Sequence, residues 1–148
     1  MLSKTTEYAI RALVYISVSN KQGKRPGFKE ISVEIDSPVQ FTAKILQTLT
    51  RHKLVNSLRG RGGGFFFDEQ HPETLSLYKV IRVIEGDAYF IRCGIGLKGC
   101  SADQPCPFHC EFERIRNDYE RLVKEETIAS LSKKVGQGEA ILKRTEIK

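Results

Sequence analysis

The chain has 148 residues, 40% hydrophobic and 28% charged. That composition fits a soluble globular domain with an extension and excludes a disordered or fibrous chain. The formal net charge of +6 is one-sided: residues 1–67 carry 11 Lys/Arg against 4 Asp/Glu, and residues 68–148 carry 13 against 14. No stretch approaches the ~18 consecutive apolar residues of a membrane span. The opening Met1-Leu2-Ser3-Lys4-Thr5-Thr6-Glu7 lacks the order of a secretory signal. A cytoplasmic location away from membranes is therefore expected, where clustered thiols serve metals or redox chemistry rather than structural disulfides.

Residues 4–19 read as a helix, with Tyr8, Ile10, Ala12, Leu13 and Ile16 at helical spacing. A polar loop over 20–27 follows, then a short helix marked by Phe28, Ile31 and Ile35. Asp36-Ser37-Pro38 signals the next start, with Ser37 as cap and Pro38 in the first turn. That helix runs to about His52. Phe41, Ile45, Leu46 and Leu49 mark its buried face, and Gln40, Thr42, Lys44, Gln47, Thr48 and Arg51 populate the rest.

Residues 54–58 read as a strand, Arg59-Gly60-Arg61-Gly62-Gly63-Gly64 as a turn and Phe65-Phe66-Phe67 as a second strand. Helices followed by a basic hairpin make a winged helix-turn-helix. After a linker over 68–74, Ser76 caps a helix carrying Leu77, Val80, Ile81 and Ile84 that ends at Gly86. Residues 88–107 show no period and hold three of the four cysteines. Phe108, Phe112, Ile115, Tyr119 and Leu122 are spaced 4, 3, 4 and 3 apart, a coiled-coil-like seam. It is too short to stand without a partner surface. The expected fold is thus mainly α with a small β-hairpin. A winged-helix DNA-binding domain spans 1–67, a linker helix and cysteine loop 68–107, a long dimerisation helix 108–131 and a polar tail 132–148.

A basic surplus confined to one half is the footprint of a polyanion-binding module, and a generic solvated basic surface is the plainer account. The second helix of a helix-turn-helix enters the major groove of double-stranded DNA. Gln40, Thr42, Lys44, Gln47, Thr48 and Arg51 are the groups able to reach bases or phosphates there. At the hairpin tip, Arg59 and Arg61 suit a minor groove or phosphates. No Gly-Lys-Ser/Thr follows the glycines, which sets a nucleotide-binding loop aside.

Cys93, Cys100, Cys106 and Cys110, with His109, form Cys-x6-Cys-x5-Cys-x2-His-Cys. The paired Cys-x2-Cys knuckles of structural zinc are absent. Wide spacing on a glycine-bearing loop fits an iron–sulfur cluster. Zinc and a metal-free thiol switch remain alternatives, as does, from another class, an iron–sulfur electron carrier or thiol oxidoreductase. No Ser/His/Asp or paired-carboxylate arrangement supports a hydrolase, and the chain is not expected to be an enzyme.

Several motifs resemble the Rrf2 family of bacterial transcription regulators, the IscR- and NsrR-like proteins. They are Ser3-Lys4-Thr5-Thr6-Glu7-Tyr8-Ala9, Ala43-Lys44-Ile45-Leu46-Gln47, Leu54-Val55, Arg59-Gly60-Arg61-Gly62-Gly63-Gly64-Phe65, Val80-Ile81, Glu85-Gly86 and the cysteine loop. The resemblance covers residues 1–131. It implies a homodimer paired through the last helix, and an iron–sulfur cluster on Cys93, Cys100 and Cys106, of the two-iron type ahead of the four-iron type. It also implies a sensor of iron–sulfur, redox or nitric oxide status. His109 matches the fourth ligand of one branch; Glu7 of a partner chain, or Cys110, ranks behind it. The chain departs from the family in its six-residue first cysteine gap, in the extra Cys110 and in Ala43, where an acid helps select operators in IscR.

Overall fold

Ser3 opens the first helix by accepting a hydrogen bond from the Thr6 backbone N–H, and α1 (Lys4–Lys21) then runs through the centre of the computed structural model, which describes residues 2–143. Its Ala12, Leu13 and Ile16 are fully buried, as the apolar spacing predicts, and Ala9 joins them, whereas Tyr8 and Ile10 are only half-buried. α2 (Phe28–Glu34) and α3 (Val39–Arg51) pack on it through Ile31, Ile35, Leu46 and Leu49. Each such side chain contributes about 1.5–3 kcal/mol on burial. The turn between α2 and α3 passes through Asp36 at φ 54, left-handed backbone that Asp tolerates better than most residues.

Leu54 and Val55 continue the core, and the hairpin is shorter than expected. β1 (Asn56–Leu58) pairs antiparallel with β2 (Gly64–Phe66), in the register Asn56↔Phe66, Ser57↔Phe65 and Leu58↔Gly64. The wing docks on the loop after α1. Phe65 N–H donates to the Pro26 carbonyl and Phe67 N–H to Asn20 Oδ1, each at 2.9 Å. The Arg25 guanidinium lies 4.1 Å from the Phe66 ring centre.

The expected linker 68–74 contains a single helical turn, α4 (His71–Thr74). α5 (Leu77–Glu85) is capped by Ser76 and ends at Gly86, whose φ of 91 suits glycine. A short 3-10 helix (Asp87–Phe90) leads into the cysteine loop. A second core cluster of Ile81, Tyr89, Phe90 and Val123 seals α5 and the 3-10 helix to α6 (His109–Glu125).

The single helix expected over 108–131 is broken. α6 ends at Glu125, and α7 (Ile128–Gly136) starts with a capping box in which Thr127 and Ser130 satisfy each other's backbone N–H groups. Between them Thr127 bridges Ser76 as an antiparallel pair. Leu77 N–H donates to the Glu126 carbonyl at 3.0 Å and Ile128 N–H to the Leu75 carbonyl at 2.9 Å. α7 returns to the core, burying Ile128 and Ser132 and packing Leu131 and Val135 on it. The expected polar tail 132–148 is therefore helical up to Gly136, and 144–148 lies outside the described residues.

Candidate nucleic-acid interface and metal centre

On α3 the inner face is formed by positions 42, 45, 46 and 49, spaced i, i+3, i+4 and i+7. Thr42 is 1% exposed, and its Oγ1 lies 2.9 Å from the Pro38 carbonyl and 2.8 Å from Ser37 Oγ. Thr42 thus faces the core and cannot reach a base, against the sequence expectation. Ser37 is spent on that contact rather than on capping, and Pro38 occupies the cap position with no side-chain cap bond. Phe41, expected inside, is 37% exposed and stacks edge-on to Tyr8.

The outer face carries Gln40, Lys44, Gln47 and Arg51, all exposed and repeating at i, i+4, i+7 and i+11. Thr48 is half-buried and donates its hydroxyl to the Lys44 carbonyl at 3.2 Å. Arg59 and Arg61 stand exposed at the wing tip. Arg25, absent from the sequence expectations, stands exposed on the loop that supports the wing, its guanidinium over the Phe66 ring. Its only sequence signal is the basic Lys24-Arg25 pair before Pro26.

The cysteine loop brings three of its four thiols together. The Sγ atoms of Cys93, Cys100 and Cys106 all lie within 4.8 Å of one another, and Cys93 and Cys106 are 3.5 Å apart. Gly96 and Gly99, at φ +76 and +73, turn the chain back on itself between them. Gly94 lies flush on α6: a Cβ there would stand 2.6 Å from the Phe112 ring.

The Cys93 thiol is lowered to about 7, first by the Ile95 backbone N–H and then by that of Leu97, against the effect of burial. Burial pushes Cys106 up. Backbone donors aimed at sulfur favour thiolate, the form that binds metal. His109 opens α6 and sets Nδ1 3.3 Å from Cys100 Sγ. Its side chain is 10% exposed, and its Nε2 is buried with no hydrogen-bond partner. Cys110 is exposed and outside the thiol group, and Glu7 pairs with Lys4 at 3.1 Å on α1. Three converging soft thiols with an adjacent imidazole are a donor set that suits an iron–sulfur cluster or zinc.

The family model described as "Rrf2: Iron-dependent Transcriptional regulator" matches residues 2–134. A putative HTH-type transcriptional regulator from Aquifex aeolicus is 29% identical over 134 residues, covering 88% of this chain and 90% of that protein. The structure of CymR, the global cysteine regulator of B. subtilis, superposes with a TM-score of 0.72 at 19% identity, covering 90% of this chain and 96% of that one. The IscR structure from T. potens gives 0.72 at 18% identity, covering 95% and 91%. These superpositions establish the winged-helix fold, and among the described residues no helix is long and apolar enough to cross a membrane.

Proposed function

The chain belongs to the Rrf2 family of iron-dependent transcriptional regulators, and from that premise we propose that it binds double-stranded DNA as a homodimer and senses iron–sulfur, redox or nitric oxide status. Residues 1–67 are the DNA-binding domain. Gln40, Lys44, Gln47 and Arg51 enter the major groove, and Arg59 and Arg61 grip phosphates or the minor groove. α6 pairs the two copies through the stripe of Ile115 and Leu122, each more than half exposed. Cys93, Cys100 and Cys106 hold an iron–sulfur cluster of the two-iron type, with His109 as fourth ligand.

The observation that carries this is the convergence of three thiols within 4.8 Å beside His109, in a chain whose surplus of positive charge lies in its other half. Bound there, the cluster supplies a centre that reacts with oxidants and nitric oxide. The chain's own part is to hold it on a loop joining the DNA-binding half to α6, so that a rearranged loop alters the spacing of the two recognition helices. A second reading rests on Cys93 and Cys106 at 3.5 Å, close enough to act as a metal-free thiol switch after a small adjustment.

The test is an absorption spectrum of protein purified without oxygen, with iron, sulfide and zinc assayed on the same sample. DNA sites are then selected from random duplexes by the loaded and metal-free forms. Visible bands with stoichiometric iron and sulfide, and affinities that differ between forms, are expected. A colourless protein that stays so after reconstitution refutes the cluster, and a zinc-bound one makes the cysteines zinc ligands. Equal affinities refute the coupling.

A further inference from the structure

Positions 109, 113 and 116 share one stripe of α6 at spacings of four and three, beside the cysteine loop. Arg116 Nη1 donates to the Arg92 carbonyl at 2.8 Å, in the peptide that leads into Cys93. Its Nη2 stands 3.9 Å from Glu113 Oε1. Glu113 Oε2 stands 3.7 Å from His109 Nε2, and His109 Nδ1 lies 3.3 Å from Cys100 Sγ. One helix stripe thus links the backbone at the first cysteine to the sulfur of the second. Two buried atoms along it have no hydrogen-bond partner, His109 Nε2 and Arg116 Nε, and Glu113 sits between their residues.

We propose that Glu113 is the positioning residue for His109. Its carboxylate accepts from Nε2–H and fixes that tautomer, which leaves the Nδ1 lone pair turned toward Cys100; Arg116 holds Glu113 in place. Neutral imidazole carries one N–H, so the partner of one nitrogen decides the chemistry of the other. A carboxylate behind a ligating histidine is a common second partner of metal sites. The 3.7 Å gap exceeds a hydrogen bond by under about 1 Å. The Glu113 side chain is 44% exposed and can turn to close it, whereas His109 is packed in. Cys110, one position on, lies outside this stripe and takes no part.

The role of Nδ1 as a ligand rests on the cluster reading; the contact itself does not. In the full-length metal-free chain, long-range proton–nitrogen correlations report which ring nitrogen of His109 carries the proton. The wild type is expected as Nε2–H. Glu113→Gln keeps it, because the amide oxygen still accepts, and Glu113→Ala mixes the tautomers. In the anaerobically reconstituted chain, loss of visible absorbance to an iron chelator is expected to run about 10-fold faster in Glu113→Ala. It stays near wild type in Glu113→Gln, and in the double variant with His109→Ala it is no faster than in His109→Ala alone. A wild-type Nδ1–H ring, a tautomer indifferent to Glu113→Ala, or an equal acceleration in the His109→Ala background overturns the assignment. Should the wild type take up no iron and sulfide, the cluster reading falls while the tautomer still decides the Glu113 contact.

Discussion

Gly64→Ala tests whether the wing is a rigid part of the fold or a loose flap. Gly64 sits at φ +136, where L side chains are strained by about 1–3 kcal/mol. A Cβ there would stand 2.2 Å from the Arg25 carbonyl oxygen and 2.9 Å from that of Pro26. Both are backbone atoms, so no rotamer change relieves the clash and β2 must lift from the loop. Lifting it gives up the Phe65 N–H bond to Pro26, about 0.5–1.5 kcal/mol, and the Arg25–Phe66 contact, about 0.5–1 kcal/mol. The total is about 2–5 kcal/mol, a large share of the ~5–15 kcal/mol that holds a domain together. At ~2–4 °C per kcal/mol for a chain of this size, Tm should fall on the order of 10 °C. Gly62→Ala is the control, because its Cβ meets nothing within 4 Å and it bears only the left-handed cost of about 1–2 kcal/mol. Thermal unfolding followed by circular dichroism decides the matter. If Gly64→Ala melts at or above Gly62→Ala, the docked wing is wrong.

The remaining expectations concern the two interfaces and the start of the chain. Lys44→Ala and Arg59→Ala should weaken DNA binding at unchanged Tm. Arg59→Ala should also flatten the log affinity against log salt slope by about 1, as loss of one phosphate contact does. Thr42→Val should lower Tm yet keep sequence preference in site selection, because Thr42 is buried; an altered preference returns it to the interface. In the metal-free chain Cys93 should alkylate before Cys106 near pH ~7, its rate rising as pH climbs through about 7, since it is thiolate where an ordinary thiol is not. Peptide mapping that finds Cys106 modified first contradicts this. Burial raises Glu85, but hydrogen bonds from Ser3 and Thr6, the latter at 2.7 Å, outweigh it and hold the carboxyl below its usual range. Its contribution is therefore present above the unfolded carboxyl value of ~4.3 and lost as pH falls through the lower folded value. Glu85→Gln should cost about 1–2 kcal/mol near neutrality, a difference from wild type that shrinks in acid; a gap that persists there in urea titrations refutes it.

What could be read from the sequence was local. The apolar spacing of α1, the Ser76 cap, the Gly86 stop and the glycine-rich turn each act within one element, and each is present in the structure. Thr42 faces inward despite its hydroxyl because 42, 45, 46 and 49, at helical spacing, mark the inner face. The break before α7 also left a signal. The seam ends at Leu122, and Thr127 followed three residues later by Ser130 is a helix start. The cysteine spacing gave the thiol group without its geometry. Arg25 on Phe66, and Arg116 on the Arg92 carbonyl, are contacts between distant segments, which no spacing rule encodes.

The two ends of α6 are held by different means. At the C-terminal end, the bonds of Leu77 to Glu126 and Ile128 to Leu75 clamp it to the core, and Val123, 3% exposed, packs with Ile81 nearby. None of these contacts involves the cysteine loop. At the N-terminal end, the helix is held by the loop itself, through His109 on Cys100, Phe112 on Gly94 and Arg116 on Arg92. A rod fixed at one end and conditionally at the other responds to the condition by swinging about the fixed end. The stripe of Ile115 and Leu122 proposed to meet a second copy, 56% and 53% exposed, runs along the same rod beside the stripe that meets the loop, and Phe108, 44% exposed, extends it at the N-terminal end. In a dimer paired through this stripe, a change in the loop is expected to be felt most at Phe108 and Ile115 and least at Leu122. Phe108→Ala and Leu122→Ala should separate accordingly. Both weaken the dimer, but only Phe108→Ala should also shrink the difference in DNA affinity between loaded and metal-free protein.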